Sequence, residues 1–430
     1  VPAPRAPARG TACQAEFALA FPFDRLIDIA PASPDAAGNH QVPVTAREGR
    51  RSMHTISPGL RRRGLLGAAL TAPFVRPAAA QSGDPYVIGT LFPMSGPNAE
   101  YGTVFSAGAQ LAVQHIAADR LLKRPLRLQA EDSQALPQQA VTGMTKLINV
   151  DRASYVLVGF TAVSKAVAPI GDRAKTVMVN GGGVGPDLAG LSPYFWNTIP
   201  LAHLETRALL PHAIAKGWKK IALVYVDDPL GDAILGILKS ELPKSGGELV
   251  GTFSIPRAAQ QFGPVAARIR QTRPDAVYIA SFGAQQSQIV KQLRDNGVSQ
   301  PLLSYSAMSL DSVRNLPESE GLTFTTQRAD LVNGDALTRR FATDFKARFN
   351  SDPGTYHMNY YNAVRLFGLL AQAVEGQGKA VDGDSLRAEL LAKKEFDLVG
   401  GKGSFDEQGN MSAAIDVNEI RGGKIVPVPA

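Results

Sequence analysis

The sequence contains one cysteine, Cys13, and it falls in the first 80 residues. From residue 81 onward the chain therefore has no disulfide, thiol nucleophile or cysteine metal site. Histidine is also scarce there: His115, His203, His212 and His357 are far apart, and none is spaced with a carboxylate as a metal set. His115 lies within a helical pattern and reads most simply as a core or surface residue. The formal charge of +7 comes from 45 Lys and Arg against 38 Asp and Glu, but residues 1–80 hold 10 of the basic and 5 of the acidic ones. The remainder is close to neutral and has no basic run, so nothing points to nucleic acid. A Gly-Lys-Ser phosphate loop and a Gly-x-Ser-x-Gly elbow are both absent. The glycine run Gly181-Gly182-Gly183-Val184-Gly185 is no dinucleotide fingerprint, because it follows a fourth strand and Pro186 stands where a helix should open. No catalytic residue, metal or cofactor is expected.

The front of the chain differs from the rest. Residues 1–52 are rich in Ala, Pro and Arg with no sustained period, and are expected to be disordered or untranslated, with translation starting at Met53. Residues 53–80 read as a secretory signal. Arg61-Arg62-Arg63 is its positive region, residues 64–75 its short apolar core, and Ala78-Ala79-Ala80 its cleavage residues. The core is too short to remain as a membrane span. Arg62-Arg63-Gly64-Leu65-Leu66 resembles a twin-arginine export signal, with Sec export as the alternative. With no cysteine after the cleavage point, no lipid anchor is expected there. The product should be a free soluble protein in an exported compartment.

Beyond residue 84, strand and helix patterns alternate almost without a break, which implies parallel sheets with helices on both faces. Residues 86–92 are a strand and 104–122 a helix, joined by a bent turn through Pro93, Gly96, Pro97 and Gly102. In such folds a loop at the carboxyl end of a strand is where ligands sit. Strands over 125–131, 155–159, 176–180 and 194–199 complete a first unit. A second starts afresh with a helix over 204–216 and a strand over 220–226. The fold class is therefore α/β, with two Rossmann-like lobes joined by a hinge of several strands. The expected lobes are 84–200 with 326–394, and 201–325 with 395–430. Asp227-Asp228 at a strand end reads as a cation site or as a hydrogen-bonded turn before Pro229, and the turn is favoured.

Several segments carry a resemblance: Met94-Ser95-Gly96-Pro97 with Tyr101-Gly102, then residues 159–164 and 180–188, then 217–225, and finally Phe405-Asp406-Glu407-Gln408-Gly409-Asn410. In order and spacing they resemble the solute-binding proteins of branched-chain amino acid ABC transporters, the type I periplasmic binding fold. The resemblance implies a monomeric Venus-flytrap protein of the periplasm that captures a small carboxylate-bearing ligand, an amino acid or related organic acid, and delivers it to an ABC permease. A sensor or receptor module of the same fold is the alternative. It also implies ligand contacts. Tyr101 is the first-loop aromatic, Ser164 or Thr161 the hydroxyl at a helix N-terminus, and Gly182 and Gly183 the backbone donors. Phe282 is the second-lobe aromatic, and Ser306 stands where an acid for the ligand ammonium would fall. Val184 replaces the usual threonine. With no carboxylate near Ser306, the pattern favours an acid without an α-amino group, aromatic or aliphatic, since a buried unpaired ammonium is costly.

N-terminal sequencing of the exported product is expected to begin at or near Gln81. An uncleaved chain retained in the cytoplasm would refute the signal assignment.

Overall fold

The computed structural model describes residues 83–428, so the expected extension and signal peptide lie outside the described residues. Two parallel sheets dominate. The first unit runs β1 (Tyr86–Phe92), α1 (Ala99–Ala118), β2 (Leu126–Asp132), α2 (Pro137–Asn149), β3 (Tyr155–Val158), α3 (Thr161–Arg173), β4 (Val177–Asn180) and β5 (Phe195–Asn197). Its strands lie in the order β2-β1-β3-β4-β5. The second unit runs α4 (Ala202–Ala215), β6 (Lys220–Val226), α5 (Pro229–Glu241), β7 (Glu248–Ile255), α6 (Gly263–Thr272), β8 (Ala276–Ala280), α7 (Gly283–Asp295), β9 (Leu302–Ser304), α8 (Asp311–Arg314) and β10 (Thr323–Gln327). The order β7-β6-β8-β9-β10 repeats that of the first sheet. The inner strands β3, β4 and β8 are buried at every position, as befits parallel strands covered on both faces.

The last third begins with α9 (Ala336–Phe349), α10 (Thr355–Gly376) and α11 (Gly383–Lys393). α10 is apolar almost all round and is accordingly buried in the first lobe. Tyr360 donates its hydroxyl to the Val158 carbonyl at 2.6 Å, and Tyr155 donates to that of Ala363 at 2.7 Å. α1 lies directly on α10 because Gly108 has no side chain: a Cβ there would stand 2.1 Å from the His357 carbonyl oxygen. His115, also on α1, is buried between Tyr361 (2.7 Å) and Asp344 (3.0 Å).

The chain was expected to pass to the second lobe near Phe396, and here the structure differs. β11 (Glu395–Leu398), β12 (Gly401–Phe405) and β13 (Met411–Ser412) form a small antiparallel sheet of their own. Phe396 and Leu398 are buried while Glu395 and Asp397 face out, a strand alternation that turns the apolar face toward the first lobe. The Asn362 side chain of α10 holds Val399 by both its amide (2.8 Å) and its carbonyl (2.9 Å), and Asn410 forms a bridge with Asn197. The second sheet gains only β14 (Ile415–Arg421) and β15 (Lys424–Pro427), an antiparallel hairpin on β10 turning at Gly422-Gly423. Three crossings thus link the sheets, after β5, after β10 and before β14. The last two are tied by Arg328 N–H to the Ala414 carbonyl at 2.8 Å.

Gly108→Ala should destabilise the protein by about 1–3 kcal/mol through overpacking. Gly236→Ala, on an exposed face of α5 with open space at its Cβ, should stabilise it by roughly 0.5–1 kcal/mol. Thermal denaturation of the two variants tests the pair. A neutral Gly108→Ala would mean that α1 and α10 are not in backbone contact.

Candidate functional site

In a sheet ordered 2-1-3-4-5 the winding reverses beside the first strand, and ligands bind outside the carboxyl ends of the strands at that reversal. In the first lobe the loops there follow β1 and β3; in the second they follow β6 and β8. The structure brings all four together. Phe160, after β3, packs edge-on against Tyr101 at 5.2 Å between ring centroids and against Phe282, after β8, at 5.4 Å. Tyr101 also meets Tyr356 of α10 at 5.4 Å. The lobes can approach this closely because Gly283 is a glycine with φ +64: a Cβ would lie 2.1 Å from Asn98 Oδ1 across the cleft.

These rings wall a narrow cavity between the lobes. It is mostly apolar, as small-ligand sites are, and five of its lining residues are aromatic. Its polar groups are few. α3 begins at its wall with no side chain capping it, and Thr161 and Ala162 of its first turn line the cavity. A helix N-terminus left open in this way favours an anion. Thr161 Oγ1 accepts from the Gly185 amide at 3.0 Å, which leaves its proton to donate. From the second lobe come Asp228 and Arg257. Asp228 caps α5: its Oδ1 accepts from the amides of Leu230 and Gly231, both at 2.9 Å. Burial raises the Asp228 carboxyl above its usual range, against the pull of the Gly231 amide, Arg257 and the Leu230 amide. Arg257 follows β7, sits at the mouth, and donates across the cleft to the Ala135 carbonyl at 3.3 Å.

A family model described as "Periplasmic binding protein" matches residues 85–424. The chain belongs to the periplasmic binding protein family. It is 23% identical to an "Amino acid binding protein" of Pseudomonas aeruginosa, over 84% of this chain and 96% of that one. It is likewise 23% identical to the "Leu/Ile/Val-binding protein" of Escherichia coli K12, over 81% and 93%. Among solved structures, a solute-binding protein of an ABC transporter from R. palustris in complex with benzoate superposes with a TM-score of 0.74 at 21% identity, covering 80% of this chain and 96% of that one. A leucine-binding protein from Thermotoga maritima gives 0.73 at 18% identity, covering 80% and 98%. At that identity the likeness to solved structures is one of fold: two α/β lobes with parallel sheets.

Within this periplasmic binding fold, Tyr101, Thr161, Gly182, Gly183 and Phe282 all line the cavity. Gly182 and Gly183 are held there by steric need, since Cβ atoms would meet Phe105 at 2.6 Å and the Phe160 backbone at 2.9 Å. Their amides, expected as ligand donors, point instead to Asn180 Oδ1 at 3.2 and 2.7 Å. Of the two candidate hydroxyls, Thr161 is at the wall. Ser164 lies one helical turn deeper, fully buried and with no partner for its Oγ. Ser306 lies behind the wall, with its Oγ 3.4 Å from the Tyr356 hydroxyl. Val184 lines the cavity as an apolar surface.

Sequence reasoning missed Phe160, Tyr305, Tyr356 and Arg257, and read Asp228 as a turn or a cation site, not as a ligand contact. Phe160 is the most informative omission. It holds φ +66, a conformation costly for a bulky residue and found where function over-determines the backbone. An acid does stand at Ser306, contributed by α4: Glu205 Oε2 accepts from the Ser306 amide at 2.8 Å and from Thr325 Oγ1 at 3.1 Å. Glu205 is fully buried and its Oε1 has no partner. Desolvation lifts its pKa from 4.5 to about 7, only partly opposed by Ser306 and Thr325. Among the described residues no group of three or more His, Cys, Asp or Glu is arranged to hold a metal.

A carboxyl whose folded pKa is raised weakens folding as pH climbs from its unfolded value toward the folded one, and the full cost remains above. Glu205→Gln should match the wild type near pH 4.5 and exceed it in melting temperature by pH 8, by up to about 3 kcal/mol in stability. Comparing the two proteins cancels the opposite contribution of the buried histidines. Parallel melting profiles from pH 4.5 to 8 would overturn the assignment.

Proposed function

We propose that this protein is an exported solute-binding protein that traps a small carboxylate-bearing molecule, an amino acid or related organic acid, between its lobes and hands it to an ABC permease. Members of its family are binding proteins, and catalysis is no part of this reading. The observation that carries it is the aromatic cavity at the paired winding reversals, with the uncapped start of α3 facing in. That helix end, with the Thr161 hydroxyl, takes the carboxylate by charge-assisted hydrogen bonds. Tyr101, Phe160 and Phe282 enclose the body of the ligand from both lobes. The moving bodies are residues 84–200 with 328–414 and residues 201–327 with 415–428, hinged at the three crossings. One chain suffices to wall the whole cavity, and in this reading the protein works as a monomer.

A thermal-shift panel tests this. A ligand at one hundred times its dissociation constant stabilises by about 2.7 kcal/mol. Small acids, with amino acids and benzoates among them, should include compounds that raise the melting temperature, while their primary amides should not. An amide series that stabilises as well as the acids would rule out a carboxylate site.

A further inference from the structure

Beyond the carboxylate end, the cavity has a second polar pole whose chemistry is unusual. Asp228 is 8% exposed. Its Oδ1 is occupied by the two amides of the α5 cap, and no donor among the described residues reaches Oδ2. Arg257 faces the same pole, and among the described residues its one acceptor is the Ala135 carbonyl of the opposite lobe. An acceptor and a cation thus stand side by side where the second lobe meets the ligand.

Their position relative to α3 follows from strand order. Ala135 follows β2 and Thr161 follows β3, and β1 lies between those strands. The two points are therefore separated by two strand spacings, about 10 Å. One small planar molecule can touch both. The walls between them are Tyr101, Phe160, Phe282, Tyr305 and Tyr356, which suit an aromatic ring.

The charge pattern narrows the group at the far end. An ammonium would satisfy Asp228 but set a second cation beside Arg257. A second carboxylate would satisfy Arg257 but face Asp228. A neutral group that donates and accepts at once suits both. We infer that the bound acid carries a hydroxyl remote from its carboxylate, donating to Asp228 Oδ2 and accepting from the Arg257 guanidinium: a hydroxylated aromatic acid. This rests on the carboxylate reading above and specifies the other end of the same site.

Calorimetry on the purified protein, with benzoate, 4-hydroxybenzoate, leucine and phenylalanine as probes, tests it. The hydroxylated acid should bind at least tenfold more tightly than benzoate, because a site built to pair a hydroxyl rejects the analogue lacking it. Asp228→Asn keeps a capping oxygen for α5 and should bring the two affinities within threefold of each other. Arg257→Gln, a second variant at the exposed mouth, should weaken 4-hydroxybenzoate more than benzoate. Equal wild-type affinities, an unchanged ratio in both variants, or tighter binding of leucine or phenylalanine than of either benzoate would overturn the inference. In each of those cases the carboxylate reading still stands. It falls if no acid of the thermal-shift panel stabilises the protein, or if the amides stabilise as well as the acids.

Discussion

Right-handed crossovers force a sheet ordered 2-1-3-4-5 to send its helices to opposite faces. The connection from β1 moves one way to β2, while those through α2 and α3 move the other way. α1 therefore packs on one face with α10, around Phe105 and Leu111. α2 and α3 cover the other face around Met144, Leu147 and Val163. Between β1 and β3 the outgoing loops diverge and leave a crevice. The second lobe repeats the order and so repeats the crevice between β6 and β8. Tyr101, Phe160, Asp228 and Phe282 converge because each lies on one of those four divergent loops or just beyond it. The site is a consequence of winding before it is a consequence of side chains.

The hinge adds a second constraint. Strands that cross between lobes must bury polar backbone while remaining bendable. Glu205, just past the first crossing, accepts hydrogen bonds from Thr325, just before the second, and from Ser306. One buried carboxyl thereby joins two crossings to the segment behind the cavity wall, since Ser306 touches Tyr356. Its second oxygen is unpaired, so this knot is costly when charged, and replacing it by a neutral isostere is favourable on general grounds.

The two lobes were legible because their signals are local. The strand over 86–92 appears as β1, and the turn through Pro93 to Gly102 leads to the cavity as placed. The run at Gly181-Gly183 also falls at the site, but sequence gave no way to see that Asn180 would claim its amides, since that depends on a side-chain rotamer. Phe396 to Ser412 was misassigned because short strands with outward charges fit either lobe. The decision lies in the long-range pairing of Asn362 with Val399, which has no local signature. Asp228 was legible as a hydrogen-bonded turn and illegible as a cavity wall for the same reason. Glu205 is the sharpest case: a search along the chain near Ser306 finds no acid, whereas the acid comes from α4, about one hundred residues earlier.

Closure can be selected only by contacts that exist in the closed form and not in the open one. Direct bonds between the lobes include the Ser312 amide to Glu100 at 3.0 Å, Arg257 to the Ala135 carbonyl at 3.3 Å, Ser306 with the Tyr356 hydroxyl at 3.4 Å, and the ring of Phe160 on Phe282. Polar contacts of that kind are each worth about 1 kcal/mol. Turning a mostly open population into a mostly closed one, from 1:99 to 99:1, takes about 5.5 kcal/mol of differential binding. A ligand held by Thr161 and the start of α3 alone would touch only the first lobe, would bind open and closed forms alike, and would shift nothing. Only a molecule gripped at both ends, with its ring between Tyr101 and Phe282, draws on the second lobe as well. The polar pole at Asp228 and Arg257 therefore bears on whether binding closes the protein, and not merely on how tightly the ligand is held.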